Sequence, residues 1–473
     1  MFQRKGIALA VAGALMSIAG GAHAANTYFD NFTPLAASAG PIPVNGAGEA
    51  TPITLSSPNF SQMSIADRTT QLGAGQFNSG NWDMNTVNTN GPDAGRYLFT
   101  VYETDRSGIQ RIDLTTNTAR TLWFSPAAAP ALNSHVAFDA SFWTPWGTYI
   151  TAEESWGSQP QPYGRLFEVT NPLKASGTVD VVHRNIIPRT SHEGIQFDSA
   201  NNMYFIDELN GGTVFKYTSM TPTNGQTYFS AGQTSVLRVG DGFTPNATGA
   251  LTWVPITDAA GDPLANSVVI TDPNGVTSVD GRASADVAAL KGTDYQRPED
   301  LQIQNAGGVE RLYMATTTTN EVYSLDLTTQ QISVFINRDT IDLATGAAVG
   351  NALTSPDNLA VDSEGNIYIV EDRNGGVDDD IWFAKDLNKD GDLLDAGEGI
   401  GRWASNGTQG SEFTGLYFDP MNPNRAWVNI QHPASGVDRT IEITAVPEPE
   451  TYAMMGAGLG LMALLRGRRR SVK

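Results

Sequence analysis

The sequence predicts an all-β fold, and three observations carry this prediction. Apolar and polar residues alternate with a period of two along most of the chain, and Gly, Asn and Asp separate the alternating segments. The 473 residues include 48 Gly and 25 Pro, which favours many turns. One pattern also repeats: an acidic or His-containing turn, a strand, an Asn/Asp-and-Gly turn, and a second strand that ends in acids. Repeats of about four short strands are typical of β-propeller blades.

The repeats predict a six-bladed β-propeller domain over 77–445. The clearest copies are SHEGIQFDSANNMYFIDE at 191–208 and SPDNLAVDSEGNIYIVEDR at 355–373. The predicted blades are 77–124, 132–183, 189–240, 295–337, 354–405 and 411–444. The stretch 241–294 is interpreted as an inserted excursion. Because equivalent positions of all blades converge around one channel, acids that are distant in sequence can share ions there.

Both ends of the chain are predicted to be sorting signals. Residues 1–24 combine Arg4 and Lys5 with an apolar run and Ala-His-Ala, which is typical of a secretory signal peptide. A polar lead segment follows at 25–76. Residues 446–473 join Pro-Glu-Pro-Glu to an apolar run and an arginine cluster. This run is marginal for a membrane-crossing helix, which needs roughly 20 apolar residues, and is expected to anchor the chain only transiently.

The tail resembles the PEP-CTERM sorting signal of Gram-negative bacteria that make exopolysaccharide. The resemblance rests on the order of its parts: Pro-Glu-Pro, an apolar run and a basic end. It implies that an exosortase recognises and removes the tail. The mature protein is then expected at the cell surface or outside the cell.

The net charge and the lack of cysteine exclude several functions. The formal net charge is −21, so nucleic acid is not an expected partner, because phosphate backbones are bound by basic faces. The chain has no cysteine, which excludes disulfides, thiolate metal ligands and cysteine nucleophiles. The acidic balance leaves open whether the carboxylates serve solubility or bind cations.

The stretch 142–157 predicts the first oxygen ligands of a shared cavity. Its sequence is FWTPWGTYITAEESWG, in which a Pro- and Gly-containing turn leads into a short strand. The strand ends in two adjacent acids, Glu153 and Glu154. A strand that ends in acids beside such a turn is suited to pointing carboxylates into a cavity.

Five segments, in order along the chain, identify a family. They are TPWGTYITAEE, SHEGIQFD, YQRPEDL, SPDNLAVD, and EFTGLYFD with VNIQHP. Over about residues 95–435 the chain resembles the PhoX-type alkaline phosphatases, which are calcium- and iron-dependent phosphomonoesterases on a six-bladed propeller. The resemblance implies hydrolysis of phosphate monoesters by metals on the propeller axis.

The resemblance also implies a set of site residues. Arg297 matches the arginine that clamps the substrate phosphate, although an ordinary ion pair with Glu299 or Asp300 is an alternative. Independently of the resemblance, His192 beside Glu193 is a candidate acid, phosphate contact or metal ligand, and a structural role for it stays open. The implied metal ligands are Glu153, Glu154, Glu193, Asp207, Glu208, Glu299 and Asp357.

One position departs from the family pattern. The family carries an iron-binding cysteine where this chain has Ala152, and a methyl group cannot replace a thiolate. The N-terminal signal also lacks the twin arginine that export of a folded, iron-loaded protein requires. Two alternatives stay open: the protein works with calcium or another hard cation, or its phosphatase activity is weakened or lost. Calcium is the expected cofactor, and iron is the cofactor that Ala152 puts in doubt.

A separate calcium loop is predicted at 386–398, with the sequence DLNKDGDLLDAGE. Acidic or amide residues occupy its positions 1, 3, 5 and 7, and Gly391 occupies position 6, where a sharp turn is needed. The expected ligands are Asp386, Asn388, Asp390, Asp392 and Glu398. A solvated acidic turn is the alternative, and an ion here is expected to stabilise the fold.

Three functions follow as hypotheses. The first is an exported, calcium-dependent phosphatase, favoured by Arg297 and Glu193. The second is a non-catalytic, calcium-binding propeller of the cell surface or exopolysaccharide matrix that binds a polymer or protein partner, favoured by Ala152 and the sorting tail. The third is another calcium-dependent propeller hydrolase, of the lactonase-like or phytase-like kind.

Overall fold

The computed structural model of the chain describes residues 27–157, 162–306, 308–373 and 378–446. These residues form 30 strands, two short α-helices and two 3-10 helices. The predicted signal peptide and the predicted anchor helix lie outside the described residues. Within the described ranges, no helix is long and apolar enough to cross a membrane.

The strands are short and follow one another closely along the chain. Strands β1 to β10 are Ile53–Leu55, Phe60–Asp67, Trp82–Val87, Tyr97–Tyr102, Gly108–Asp113, Thr118–Phe124, Phe138–Trp143, Tyr149–Glu153, Leu166–Val169 and Val181–His183. Strands β11 to β20 are Ile195–Phe197, Met203–Ile206, Asn210–Gly212, Val214–Ser219, Gly232–Val239, Gly249–Pro255, Val269–Thr271, Thr277–Val279, Tyr295–Gln296 and Pro298–Ala306. Strands β21 to β30 are Val309–Thr316, Glu321–Asp326, Gln331–Ile336, Pro356–Val361, Ile367–Glu371, Asp379–Lys385, Gly399–Asn406, Glu412–Phe418, Arg425–Gln431 and Arg439–Ala445. The helices are α1 at Arg68–Gly73, α2 at Gly281–Ala285, and 3-10 turns at Ala47–Ala50 and Gly350–Ala352.

The sheets are antiparallel meanders in a propeller-like arrangement. Strands β3-β4-β5-β6 form one four-stranded sheet and β7-β8-β9-β10 another, each with consecutive strands side by side. The first strands of the meanders, β3, β7, β11, β20, β24 and β28, contact one another in a ring. The predicted all-β class and propeller-like arrangement are confirmed, whereas the number of six blades stays a prediction.

Apolar clusters fill the space between consecutive meanders. Phe99 of β4 packs with Tyr149 of β8 and Phe167 of β9, so the first two sheets share one core. The last cluster closes the ring, because Trp427 of β29 lies with Trp82 of β3. Alternation along the strands sends these side chains between sheets and leaves the strand ends for polar groups.

Two segments that the sequence placed outside the blades belong to the sheets. Strand β16, from the predicted excursion, pairs with both β15 and β23 and joins two meanders into a nine-stranded sheet. Strand β2, from the predicted lead segment 25–76, pairs with β30 from Phe60 opposite Ala445 to Asp67 opposite Arg439. Strand β1 pairs with β27 in the same way. The lead is thus part of the fold, because β2 satisfies the edge hydrogen bonds that β30 would otherwise expose.

Candidate metal centre

Acids from all the meanders line one cavity of about 420 Å³. Its ten carboxylates are Asp83, Glu103, Asp139, Glu154, Glu193, Glu208, Glu299, Asp357, Asp372 and Glu412. The remaining lining residues are Asn81, Arg297, Thr414, Gln431 and His432. Ten carboxylates around one arginine repel one another strongly unless protons or cations neutralise them.

Two positions in the repeated meander supply these acids. The first lies at the start of the first strand, or two residues before it in the case of Glu193, and is occupied by Asp83, Asp139, Glu193, Glu299, Asp357 and Glu412. The second lies just after the next strand and is occupied by Glu103, Glu154, Glu208 and Asp372. Because neighbouring strands are antiparallel, the start of one and the end of the next lie at the same edge of the sheet.

The backbone before the first position is left-handed in most meanders. The residue two before the acid has a φ between 38° and 73° in five meanders, at Asn81, Ala137, Arg297, Ser355 and Gly410. In four of these, the strands β3, β7, β20 and β24, the pairing register also shifts across the acid, as in a β-bulge. Bulges re-aim side chains, and here each bulged acid reaches the cavity.

The meander of β11 is the exception, since its residue two before the acid is not left-handed. There, Gly194 follows Glu193, and a Cβ at this glycine would lie 2.2 Å from the backbone N of Leu301 and 2.6 Å from Oδ1 of Asp300. Only glycine allows this close approach between two meanders. The close approach places Glu193 beside the acids of β20.

Glu193, Glu208 and Glu299 form the tightest group in the cavity. They offer carboxylate oxygens within 4.8 Å of one another, and all three side chains are buried. Burial, together with neighbouring acids, raises the pKa of Glu193 and of Glu208 well above the ordinary value. Burial and Asp357 raise the pKa of Glu299 to about 8. A bound cation would remove this electrostatic cost.

Arg297 lies at the same group. Its Nε is 2.8 Å from Oε1 of Glu299, and its Nη2 is 3.2 Å from Oε1 of Glu208. Its side chain remains 26% exposed, so the guanidinium can also meet a molecule in the cavity. The ion pair weighed from the sequence is therefore present with Glu299. Asp300 instead accepts hydrogen bonds from the backbone N–H of Leu301 and Leu359.

The two adjacent acids after β8 have different roles, which corrects the predicted place of Glu153. Glu153 is fully buried, and its oxygens accept hydrogen bonds from Arg165 Nη2 at 2.5 Å and Nε at 2.8 Å. It does not line the cavity, whereas Glu154 does. Neighbouring residues of an extended chain point to opposite sides, so only one of the pair reaches the site.

His192 and Asp207, both predicted site residues, also lie outside the cavity lining. His192 is fully buried with its ring centroid 5.2 Å from that of Phe205. Its burial lowers its pKa to about 3. Asp207 accepts a hydrogen bond from the backbone N–H of Ser191 at 3.0 Å. Both ring nitrogens of His192 are buried and have no hydrogen-bond partner among the described residues, so its role stays a prediction.

Half of the cavity acids were missed from the sequence, namely Asp83, Glu103, Asp139, Asp372 and Glu412. The available signal was the repeat itself, because these acids occupy the same two positions as Glu193 and Glu208. His432, to which the sequence assigned no role, also lines the cavity. Its Nε2 is 2.8 Å from Oε1 of Glu412, and its Nδ1 is 2.8 Å from the carbonyl oxygen of Gly410.

The predicted calcium loop lies apart from the cavity, between β26 and β27. Asp386 is buried and accepts hydrogen bonds from the backbone N–H of Lys389 and of Gly391. Glu398 is also buried and accepts from the N–H of Leu387 and of Asp395. The loop is thus folded around its own first and last acids. The side-chain amide of Asn388 donates to Asp390, while Asp392 accepts from the backbone N–H of Leu394. Calcium binding here stays a prediction.

Ala152, where the resemblance stated from the sequence implies a cysteine, is fully buried. It belongs to the apolar cluster that contains Ile150, Leu166 and Phe205. Its surroundings are therefore those of a core residue.

Fold and site together define a class: a propeller-like β-protein whose meanders deliver carboxylates to one cavity. A model of the alkaline phosphatase PhoX family matches residues 140–434 of the chain, so the chain belongs to this family. The PEP-CTERM protein-sorting motif matches residues 445–470. Both resemblances stated from the sequence are thereby confirmed.

The chain is also similar to solved structures at low sequence identity. A streptogramin B lyase is 10% identical, with 82% of this chain and 98% of that chain covered and a TM-score of 0.38. A PQQ-bound aldose sugar dehydrogenase from Streptomyces coelicolor is 13% identical, with 82% and 98% covered and a TM-score of 0.41. A comparison with curated proteins finds no match.

Proposed function

We propose that the protein is an exported phosphatase that hydrolyses phosphate monoesters at cations held in the acidic cavity. One observation carries the proposal: ten carboxylates and a partly exposed arginine line the same cavity within a PhoX family domain. A phosphate monoester is an anion, and uncompensated carboxylates would repel it. The substrate can therefore enter only when cations neutralise the acids.

The donor set fits calcium. Hard carboxylate oxygens are the ligands that calcium prefers, and it takes six to eight oxygens. Asp139 Oδ1 and Glu193 Oε2 are buried and accept no hydrogen bond from a described donor. The residues that would hold the ions are Glu154, Glu193, Glu208, Glu299 and Asp357, joined by Asp83, Glu103, Asp139 and Asp372. Bound ions would supply charge neutralisation and a water of lowered pKa.

Arg297 would bind and orient the substrate. The guanidinium presents several N–H donors in a fixed fork, which suits phosphate oxygens. Glu208 pairs with Nη2 of this guanidinium and Glu299 pairs with its Nε, so both carboxylates fix its position. Arg297 thus keeps the phosphate at the edge of the tightest carboxylate group.

His432 and Glu412 would hold a proton at the cavity wall. Since Nδ1 of His432 faces a carbonyl oxygen, which can only accept, Nδ1 carries a hydrogen. Nε2 faces a carboxylate oxygen at 2.8 Å, so a proton lies between His432 and Glu412. A leaving-group oxygen needs such a proton when the ester bond breaks.

Iron fits the chain less well. A thiolate ligand is replaced by Ala152, whose methyl group lies in an apolar cluster. We therefore propose calcium, or another hard cation, as the working metal. We also infer calcium at the loop 386–398, where it would stabilise the fold.

The finer features of fold and location belong to the same proposal. We infer six blades, supported by the ring of six first strands and by the apolar clusters between consecutive meanders. The PEP-CTERM motif supports export, recognition of the tail by an exosortase, and release at the cell surface or outside the cell.

A second candidate is a non-catalytic, calcium-binding propeller of the cell surface or exopolysaccharide matrix. Two observations favour it: the apolar surroundings of Ala152, and the ion pairs that already engage Arg297. In this case the cations would stabilise the ring, and a polymer or protein partner would bind elsewhere.

The deciding experiment measures hydrolysis of 4-nitrophenyl phosphate by the purified protein, with calcium and with a chelator. Arg297→Ala is the test variant. Arg425→Ala is its matched control, because Arg425 is 24% exposed, pairs with Asp419 and lies over Trp427, but does not line the cavity. Calcium-dependent turnover that only Arg297→Ala abolishes supports the phosphatase. No turnover from folded, calcium-loaded protein favours the second candidate.

A further inference from the structure

An exposed tryptophan lies beside the cavity. All nine tryptophans of the chain are in the described residues, and Trp156 alone among them is exposed, at 43%. It follows Glu154, a cavity residue, by two positions. Its Nε1 lies 3.5 Å from Oε1 of Glu154. This contact holds the indole beside the cavity acid Glu154.

The same indole stacks on the proposed phosphate-binding group. The guanidinium carbon of Arg297 lies 5.1 Å from the centroid of the Trp156 ring. This cation–π contact orients the indole plane next to the group that would hold the phosphate. The ester substituent of a phosphate bound by Arg297 would thus leave the cavity close to Trp156.

The cavity itself offers nothing to an apolar substituent. Every residue of its lining is polar or charged. Contact energy for a planar, apolar leaving group must therefore come from outside the lining. Trp156 supplies an aromatic face at the point where such a group would emerge.

We propose that Trp156 is a specificity-determining residue that stacks on a planar aromatic leaving group. The favoured substrates are then aryl or nucleoside phosphate monoesters. This inference rests on the proposed phosphatase function. Stacking of a base on an aromatic side chain contributes about 1–3 kcal/mol to binding. A contribution of about 1.4 kcal/mol, near the lower end of this range, changes affinity about tenfold.

A simpler role for Trp156 would be to hold Arg297 in place. That role would affect all phosphate esters alike, because Arg297 contacts the phosphate that they share. A role in specificity would affect only esters with an aromatic substituent. Matched pairs of substrates therefore separate the two roles.

The experiment compares kcat/KM for two pairs of esters: AMP with ribose 5-phosphate, and phenyl phosphate with glycerol phosphate. The enzymes are the unaltered full chain, Trp156→Ala, Trp156→Phe and the control Phe124→Ala, whose ring is also exposed but lies away from the cavity lining. Trp156→Ala is expected to lower kcat/KM about tenfold for the aromatic member of a pair, mainly through KM. For the non-aromatic member the expected loss is no more than about twofold, and Trp156→Phe restores most of the activity.

The outcomes are distinguishable. A loss for AMP alone identifies nucleotides as the source of the aromatic group, whereas a loss for phenyl phosphate alone identifies simple aryl esters. Equal losses for both members of each pair, or no loss in any, overturn the specificity role while the phosphatase stands. No turnover of any ester by the unaltered chain means that the proposed function fails, and this inference fails with it.

Discussion

Arg297 and Glu299 are two residues apart in the chain, and Nε of the arginine lies 2.8 Å from Oε1 of the glutamate. Arg297 has a φ of 59°, a left-handed conformation that costs a residue with a Cβ roughly 1 kcal/mol. The same left-handed conformation precedes the acids of four other meanders, at Asn81, Ala137, Ser355 and Gly410, and only the glycine avoids this cost. The backbone at the start of the first strand thus stores strain where the carboxylates converge.

Substitution of Arg297 by lysine is expected to lower kcat/KM for 4-nitrophenyl phosphate by about 10- to 100-fold. Lysine keeps the charge but loses the fork of N–H donors that matches phosphate oxygens. The measurement is steady-state kinetics with calcium, and Arg425→Lys is the control. Unchanged kinetics in Arg297→Lys would contradict a fork-shaped phosphate contact.

Glu153→Gln and Glu154→Gln are expected to affect different properties, stability and calcium binding respectively, although the residues are adjacent. Glu153→Gln removes the charge that compensates buried Arg165, so the free energy of unfolding should fall by about 3 kcal/mol. Glu154→Gln should leave the stability of metal-free protein within about 1 kcal/mol and weaken calcium binding. Urea unfolding with chelator and calorimetric calcium titration test the pair. Weaker calcium binding in Glu153→Gln alone would reverse this assignment.

Removal of metal is expected to destabilise the whole ring. Ions that bind only the folded protein raise its stability by about 2.7 kcal/mol when their concentration is 100 times the Kd. Thermal unfolding in chelator should therefore occur several degrees lower than in calcium, and added calcium should restore it. Sodium chloride at equal ionic strength is the control, since it screens charges without coordinating them. Identical melting curves in chelator and calcium would contradict a cation centre.

The metal-free protein is expected to lose stability as pH rises from about 6.5 to about 8, above the range in which buried His192, with its pKa lowered to about 3, acts in the opposite direction. Burial raises the pKa of Glu299 to about 8 and that of Asp357 to about 7. Between the unfolded pKa near 4 and these values, the folded chain binds more protons than the unfolded chain, so the free energy of unfolding falls with pH. Calcium should flatten this dependence because it replaces the protons. Urea unfolding at several pH values, with chelator or calcium, measures both slopes, and a rising slope in chelator would be contrary to expectation.

Two glycines of the loop 386–398 provide a matched pair. Both are left-handed, with φ of 87° at Gly391 and 96° at Gly397. A Cβ at Gly391 would lie 2.6 Å from Nε of Arg311, whereas at Gly397 the nearest atom is 3.7 Å away. Gly391→Ala should therefore destabilise the protein by about 1–3 kcal/mol more than Gly397→Ala. Thermal unfolding compares the two variants. Equal losses of stability would show that the left-handed backbone alone, and not the contact with Arg311, determines the cost of the added Cβ.

Much of the fold was predictable because the strands of each meander have a recognisable pattern in the local sequence. Alternation and turn residues indicate the strands, and the acids after them mark the cavity edge. The side to which Glu153 points was misjudged, because a pair of adjacent acids was treated as one unit. The pairing of β2 with β30 was beyond local patterns, since the partners are separated by most of the chain.

The missed acids have a related cause. Asp139 and Glu412 occupy the same repeat position as Glu193. Asp139 lacks a motif beside it, and Glu412 was given no role although it begins the quoted segment EFTGLYFD. A strict alignment of the repeats would have found them. The left-handed conformation before the acids was harder to predict from the sequence, because Ala137 and Ser355 are not residue types that favour such a backbone.

The pairing of β2 with β30 has a consequence for the order of events after synthesis. The first long strand of the described chain finds its partner only when the last strand has emerged. Until then the ring is open between the meanders that carry Asp83 and Glu412, and the cavity lacks one of its walls. Closure of the ring therefore follows the synthesis of β30, and an ion that needs acids from both of these meanders can bind only after that step.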